Sequence, residues 1–281
     1  MHDWLEKRFN KKSDEVLVKT EGRSYTYSDI NDIVYDRAQA LKDFGLKKGQ
    51  FVGIYLPNTM DFIESYLGCY KVRAISVILN KKWRDNEIKK SVQQIPIDYI
   101  ICQFSDKKKL SRLKIPLIFI EELSKSYGSC FLENLSSEYS NDDVQTVLFT
   151  SGTKGFPKAV CLTYDNFYQS SIKWAKAVNL KKADHYLVSL PMYHIGGLAI
   201  LMRAIHIGFT IVLPSIFENY IEKQNDITII STVPAQLFEL IKKKKILKNL
   251  KSLRCIIVSG SKISKDLLNS CVDKKLNIFI S

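Results

Sequence analysis

The chain has 281 residues, 42 Lys and Arg against 29 Asp and Glu for a net charge of +13, and 46% hydrophobic residues. With 25% charged and 11% aromatic residues this is no disordered or collagen-like polymer, and the length suits one large α/β domain or two smaller ones. The 34 lysines and 8 arginines are scattered from Lys7 to Lys275, which reads as a solvated lysine surface rather than a nucleic-acid face rich in clustered Arg.

In chain order, residues 15–27 alternate apolar and polar around Glu21-Gly22, as a β-hairpin does. Ser28 then reads as the cap of an amphipathic helix carrying Ile30, Ile33, Val34, Ala38 and Leu41, closed by Gly45. A strand over 51–56 ends at Pro57, a helix carries Phe62, Ile63, Tyr66, Leu67 and Tyr70, and a strand follows over 75–79. A helix near 84–94 and a strand over 99–102 repeat that order. Such alternation predicts an α/β fold, a largely parallel sheet covered by helices.

Residues 124–143 turn to Ser, Glu, Asn and Tyr and read as a surface linker. Beyond them, strands are predicted over 145–149, 158–162, 186–190, 209–213, 227–231, 254–258 and 277–280, and helices near 165–177, 197–206, 234–245 and 264–272. The run Lys242 to Lys245 is expected at the end of a helix, where cations favour the macrodipole. There is no internal repeat.

The six cysteines (Cys69, Cys102, Cys130, Cys161, Cys255 and Cys271) form no CxxC pair and several lie in apolar runs, which suits reduced thiols in a cytoplasmic protein. No basic segment followed by an apolar one opens the chain, so no secretory signal is expected. The most apolar stretch, 195–213, is broken by Arg203, His206 and Gly208, and a central Arg costs about 2.5–3.5 kcal/mol on membrane-insertion scales. A buried helix followed by a strand is the expectation there. No HExxH or His/Cys cluster suggests a protein-ligated metal.

The segment Thr146-Val-Leu-Phe-Thr150-Ser-Gly-Thr-Lys-Gly-Phe-Pro-Lys158 runs an apolar strand into a loop of two glycines, three hydroxyls and two lysines. Glycines admit close backbone approach, successive N–H groups can ring an anion, and lysines neutralise it; the composition suits nucleotide phosphates. A Walker A loop fits poorly. Lys158 has the right spacing from Gly152, but Pro157 replaces the second glycine, Ala159 replaces the Ser/Thr, and a strand rather than a helix follows. The alternative is a polar hairpin loop with no ligand.

The string TSGTKGFPKAV (150–160) resembles the phosphate-loop signature of the adenylate-forming enzymes, which include acyl-CoA synthetases and peptide-synthetase adenylation domains. Three further family landmarks follow in order: Leu190-Pro-Met-Tyr-His194-Ile-Gly-Gly-Leu198, Thr232-Val-Pro-Ala-Gln-Leu237 and Ile257-Val-Ser-Gly-Ser-Lys262. Within the family, residues 191–213 look most like the o-succinylbenzoate–CoA ligases of menaquinone synthesis.

The resemblance implies carboxylate attack on the α-phosphate of Mg·ATP, then displacement of AMP by coenzyme A. It implies that Thr150, Ser151, Gly152, Thr153, Lys154, Gly155 and Lys158 bind phosphates and that Ser259, Gly260 and Ser261 line an adenine pocket. It places catalytic His194 between the acyl and nucleotide sites, with Gly196, Gly197 and Arg203 on the acyl side. Mg²⁺ is expected on the ATP phosphates. On its residues alone, Arg203 suits either a second substrate carboxylate or a helix-end position facing water. His2 and His185 read as surface residues and His206 as packing. The implied partners are a small carboxylic acid, ATP and coenzyme A, without nucleic acid or membrane insertion.

Three departures stand out. Lys154 occupies a position where the family has a small hydroxyl residue, and Ser259 and Ser261 replace the usual Gly and Ala, narrowing the adenine slot. The family's next landmark, an aromatic–Gly–x–Thr–Glu string, is absent from residues 1–281. The expectation is a partial N-terminal AMP-binding domain without the C-terminal domain, inactive in full thioester synthesis by itself. The rival expectations are a non-catalytic nucleotide-binding remnant, one part of a split enzyme, or, on charge alone, a nucleic-acid binder.

Overall fold

A computed structural model describes residues 8–9, 14–123, 139–151, 157–223 and 226–281. The chain divides into two compact units. The first holds residues 27–167 and 193–195; the second holds residues 14–26, 168–192 and 196–281.

The first unit is built on a six-stranded sheet. Helix α1 (Tyr27–Asp43) precedes β3 (Phe51–Tyr55), α2 (Met60–Val72), β4 (Ile75–Ile78), α3 (Asp85–Val92) and β5 (Ile97–Cys102). Short helices α4 (Lys107–Leu110) and α5 (Ile120–Leu123) flank β6 (Leu117–Phe119), and β7 (Val144–Ser151) and β8 (Pro157–Thr163) form an antiparallel hairpin that leads into the next helix. The strand order is β6-β5-β3-β4-β7-β8, all parallel up to β7. Apolar residues on this sheet and its helices, among them Val77, Leu79, Ile88, Ile100, Leu110 and Val147, form one core.

Two local features explain how its helices pack. Arg37 on α1 is buried and paired with Glu64 on α2 at 2.5 Å. A Cβ on Gly68 would lie 2.8 Å from the Arg37 Cγ, so glycine makes room for that side chain. Helix α1 begins at Tyr27, one residue before the expected cap, so Ser28 lies inside its first turn. Gly45 does close the turn, at φ +102° with the Leu46 N–H bonded to the Leu41 carbonyl.

The second unit is built on a seven-stranded sheet of order β13-β12-β11-β9-β10-β1-β2. The opening hairpin, β1 (Val16–Lys19) and β2 (Ser24–Thr26), joins it at the edge, with β1 parallel to β10 (Thr210–Val212). Its other strands are β9 (His185–Leu187), β11 (Ile229–Thr232), β12 (Cys255–Val258) and β13 (Ile278–Ile280). The helices are α6 (Tyr164–Ala177, mostly in this unit), α7 (Ile195–Ile207), α8 (Phe217–Lys223), α9 (Pro234–Leu240), α10 (Lys244–Leu250) and α11 (Lys265–Asp273). Ser264 caps α11 by accepting from the Leu267 N–H.

One sequence expectation needs correction. The single helix over 234–245 is two helices broken after Leu240, so Lys244 and Lys245 open a helix instead of ending one. Cations disfavour that end of the dipole. Glu222 pairs with Lys245 at 3.0 Å, and the preceding Lys242 and Lys243 pair with Glu239 at 2.7 Å and with Glu218. The expected linker over 124–143 lies outside the described residues up to 138. Of its described end, residues 140–143 are exposed, while Tyr139 is buried, with its ring 5.0 Å from those of both Tyr70 and Tyr164.

Helices α4, α5 and α8, most of α10 and strand β6 were not expected from the sequence. Among the described residues no helix is long and apolar enough to cross a membrane.

Candidate nucleotide and acyl site

In the first unit, the hairpin of β7 and β8 carries the ends of the candidate phosphate loop. Thr150 faces Lys158 across the ladder and Ser151 faces Pro157, and the Thr150 hydroxyl donates to the Lys158 carbonyl at 3.4 Å. Lys158 is exposed, so its ammonium is available to an anion. Gly152, Thr153, Lys154 and Gly155 lie outside the described residues.

The outer edge of β8 is not bare. The Gln94 side-chain amide donates to the Pro157 carbonyl at 2.8 Å and accepts from the Ala159 N–H at 3.2 Å.

His194 belongs to the same unit. It is exposed, beside the buried Tyr193, whose ring centroid lies 4.8 Å away. Partial loss of hydration holds the imidazole pKa below 6.5, and the positive charge of Lys82 adds to the effect. At neutral pH the ring is therefore uncharged, a hydrogen-bonding group rather than a cation.

In the second unit, Val258 ends β12 and hands over to Ser259, Gly260 and Ser261. The Ser259 N–H donates to the Thr232 carbonyl at 3.0 Å, which continues the ladder one step. Gly260 then takes φ +88°, a left-handed conformation that glycine adopts without strain. Gly260 and Ser261 are exposed and Ser259 is half-buried. The result is an accessible ledge of backbone and small hydroxyls, which a flat polar ring can approach closely.

Helix α7 carries the residues expected on the acyl side. A Cβ on Gly197 would fall 2.2 Å from the Pro191 carbonyl oxygen, so backbone packing alone demands glycine there. At Gly196 the nearest atom is the Leu190 side chain, 3.0 Å from such a Cβ. Arg203 is 7% exposed, which removes the water-facing reading of that residue. Its guanidinium lies 4.4 Å from the Trp174 ring centroid and is hydrogen-bonded by Tyr186. Burial lowers its pKa, and its Nε has no hydrogen-bond partner. No ion pair to a carboxylate forms at Arg203 among the described residues.

Tyr186 continues the polar chain, with its hydroxyl 2.5 Å from that of Ser231, whose carbonyl accepts from the Ser189 hydroxyl. Sequence reasoning did not single out Tyr186, Ser231, Gln94 or Trp174. None of them carries a sequence signal that separates it from ordinary strand or helix residues. His206 is half-buried with its Nδ1 2.7 Å from the Ser171 hydroxyl, as a packing histidine would be.

Among the described residues no group of three or more His, Cys, Asp or Glu side chains is placed to hold a metal ion.

A model of the family described as AMP-binding enzyme matches residues 5–278. A 2-succinylbenzoate–CoA ligase of Bacillus cereus (strain ATCC 10987 / NRS 248) is 29% identical over 283 residues, covering 99% of this chain and 58% of that protein. The same named ligase of Bacillus thuringiensis subsp. konkukian (strain 97-27) is 30% identical, with the same coverage. The chain thus spans 58% of the length of these curated relatives. The fold matches that of o-succinylbenzoate coenzyme A synthetase of Bacillus subtilis in complex with AMP, at TM-score 0.88 and 24% identity, over 99% of this chain and 72% of that one. The structure of that synthetase with ATP and magnesium ion gives the same TM-score and identity, covering 58% of its chain. With the family model matching nearly all of the sequence, the chain belongs to the AMP-binding enzyme family.

Proposed function

We propose that this chain provides the nucleotide-binding and acyl-binding parts of an AMP-forming acid–CoA ligase of the o-succinylbenzoate type. One observation carries the choice of substrate class. Arg203 is a buried cation held by an aromatic face and a phenol, with no carboxylate paired to it among the described residues. A dicarboxylic acid whose second carboxylate docks there supplies the missing countercharge, and a guanidinium suits that role through paired hydrogen bonds.

The other roles follow the chemistry of each group. Thr150, Ser151, Gly152, Thr153, Lys154, Gly155 and Lys158 surround the phosphates, where N–H groups, hydroxyls and ammonium charge offset the anion. Ser259, Gly260 and Ser261 form the ledge for adenine, and the left-handed Gly260 with its short neighbours fits a flat base. His194, neutral at pH 7, orients the reacting carboxylate by hydrogen bonding. Gly196 and Gly197 keep the start of α7 slim beside the acyl group. ATP supplies the phosphoryl group that activates the acid, Mg²⁺ enters on its phosphates, and coenzyme A is the thiol acceptor. A cytoplasmic setting fits these soluble co-substrates.

Residues 1–281 contain no counterpart of the aromatic–Gly–x–Thr–Glu string. A polypeptide of these residues should therefore bind ATP and o-succinylbenzoate without completing thioester synthesis. Calorimetry with each ligand and an ATP–pyrophosphate exchange assay test this. Binding of both ligands, with o-succinylbenzoate binding lost in Arg203→Met, is the expected result. Absence of nucleotide binding, or equal o-succinylbenzoate binding by Arg203→Met, overturns it, and robust exchange overturns the expected inactivity.

A further inference from the structure

We infer that Gln94 is a positioning residue for the phosphate loop: its side-chain amide acts as an added rung on the edge strand β8 and fixes where Lys158 and the mouth of the hairpin sit. The inference rests on the phosphate-loop reading proposed above and adds a residue that no family landmark contains.

The geometry is that of a strand partner. In an extended chain, successive residues turn their N–H and C=O groups to opposite sides. Lys158 lies opposite Thr150 in the ladder. Its neighbours Pro157 and Ala159 turn the other way, toward the open edge of the sheet, where β8 is the last strand. A further strand would accept from Ala159 and donate to Pro157. Gln94 does both, at 3.2 and 2.8 Å. Pro157 has no N–H to offer, which is why a proline is tolerated at this edge.

The amide is also anchored from behind. The same Gln94 Nε2 donates to the Lys90 carbonyl at 3.2 Å, in the last turn of α3. The Gln94 N–H is held by the Ser91 carbonyl at 3.1 Å. Both amide hydrogens and the amide oxygen are therefore used, which fixes which atom is which. Helix α3 stands on the sheet through the buried Ile88 and Val92. The support runs from core to helix end to amide to β8, and ends at the first residue after the loop.

An anion gains affinity for a cation and strand end that are already held in place before it arrives. Holding the exit strand matters for the phosphates that the loop itself contacts and has no bearing on the adenine ledge. Losing it should weaken ligands that carry β- and γ-phosphates and spare AMP. A residue that only stabilises the fold would not split the two nucleotides.

The variants Gln94→Ala and Gln94→Glu test this in the 281-residue chain. Glu keeps the size but sets a carboxylate oxygen against the Pro157 and Lys90 carbonyls, so both variants should behave alike. The expected result is Mg·ATP affinity about five- to tenfold weaker with AMP affinity unchanged, the loss matching one hydrogen-bonded rung. Amide exchange at Ala159 should quicken by about the same factor. Unchanged Mg·ATP affinity, or equal losses for Mg·ATP and AMP, overturns the inference while leaving the nucleotide reading standing. A wild-type chain that binds neither nucleotide removes the nucleotide reading instead. Exchange at Ala159 then decides on Gln94 alone, and an unchanged rate refutes the rung.

Discussion

The guanidinium of Arg203 lies 4.4 Å from the centroid of the Trp174 ring, and with the Tyr186 hydroxyl this aromatic face is what compensates a buried cation. A stacked aromatic offsets only part of the desolvation of a full charge. On the proposed reading, the buried charge is destabilising in the free protein and is compensated when an anion docks against it. Replacing Arg203 by Met keeps the volume and removes the charge. Stability against urea should rise by about 1 kcal/mol, while affinity for o-succinylbenzoate falls by about 1.5–3 kcal/mol. A variant that is both less stable and unaltered in binding would show Arg203 to be a structural residue.

His194 sets a pH dependence whose sign is fixed by the direction of its shift. Its folded-state pKa lies below 6.5, first through partial loss of hydration and then through Lys82, so the unfolded chain takes up the proton first as pH falls. The stability contributed by the neutral ring is whole above pH 6.5 and is lost as pH falls from there through the folded-state pKa. NMR titration of the His194 ring should give a midpoint below 6.5. Lys82→Met should move that midpoint upward without restoring the ordinary value, because partial loss of hydration is the larger cause. A midpoint at or above 6.5 in the wild type would remove the neutral-imidazole role.

Much of the architecture was legible because the strands and helices carry their own periodicity, and the limits lie in long-range pairing and phase. The hairpin at 15–27 is plain in the sequence, yet nothing local says that Val18 pairs with Ile211. The break after Leu240 was missed for a physical reason. Leu237 and Ile241 share one helical stripe, and extending it would bury Lys244, Lys245 and Lys248. The core instead takes Ile246 and Leu250, out of phase with that stripe, so the helix stops and restarts. At the site, the loop string, His194 and Arg203 were visible as letters in a known order. The burial of Arg203 was not, since Trp174 and Tyr186 flank it only after folding. Gln94 was invisible because its contacts are to backbone, which leaves no trace in residue type.

The cysteines should react in a sharply graded order. Burial pushes the Cys69 thiol up to about 12, and the Cys102 thiol likewise to about 12 with help from Asp106 and Glu121. Burial also raises Cys255 and Cys271. Cys161 lies exposed on the edge strand β8. In a Cys130→Ser background at pH 8, a disulfide reagent should modify one thiol rapidly in the native protein, and Cys161→Ser should abolish that phase. Reaction of Cys69 or Cys102 at a comparable rate would contradict their burial.

The two glycines at the start of α7 should respond oppositely to alanine. At Gly197 the new Cβ would meet the Pro191 carbonyl oxygen at 2.2 Å and the Leu190 carbonyl oxygen at 2.6 Å. Both are backbone atoms, so only a shift of the helix or of the preceding turn relieves the clash. Gly197→Ala should cost about 3 kcal/mol or more, at the severe end for a single substitution. At Gly196 the obstacle is the Leu190 Cδ1 atom at 3.0 Å, the far end of a side chain that can rotate. The helix propensity gained by alanine, about 0.5–1 kcal/mol, should roughly offset that adjustment. Urea unfolding of the two variants separates these costs, and equal stabilities would disprove the close approach at Gly197. Because Gly196→Ala leaves the fold intact, its o-succinylbenzoate affinity reports on the acyl pocket alone. A weakened affinity there supports a slim helix start beside the substrate, and an unchanged one removes Gly196 from the pocket.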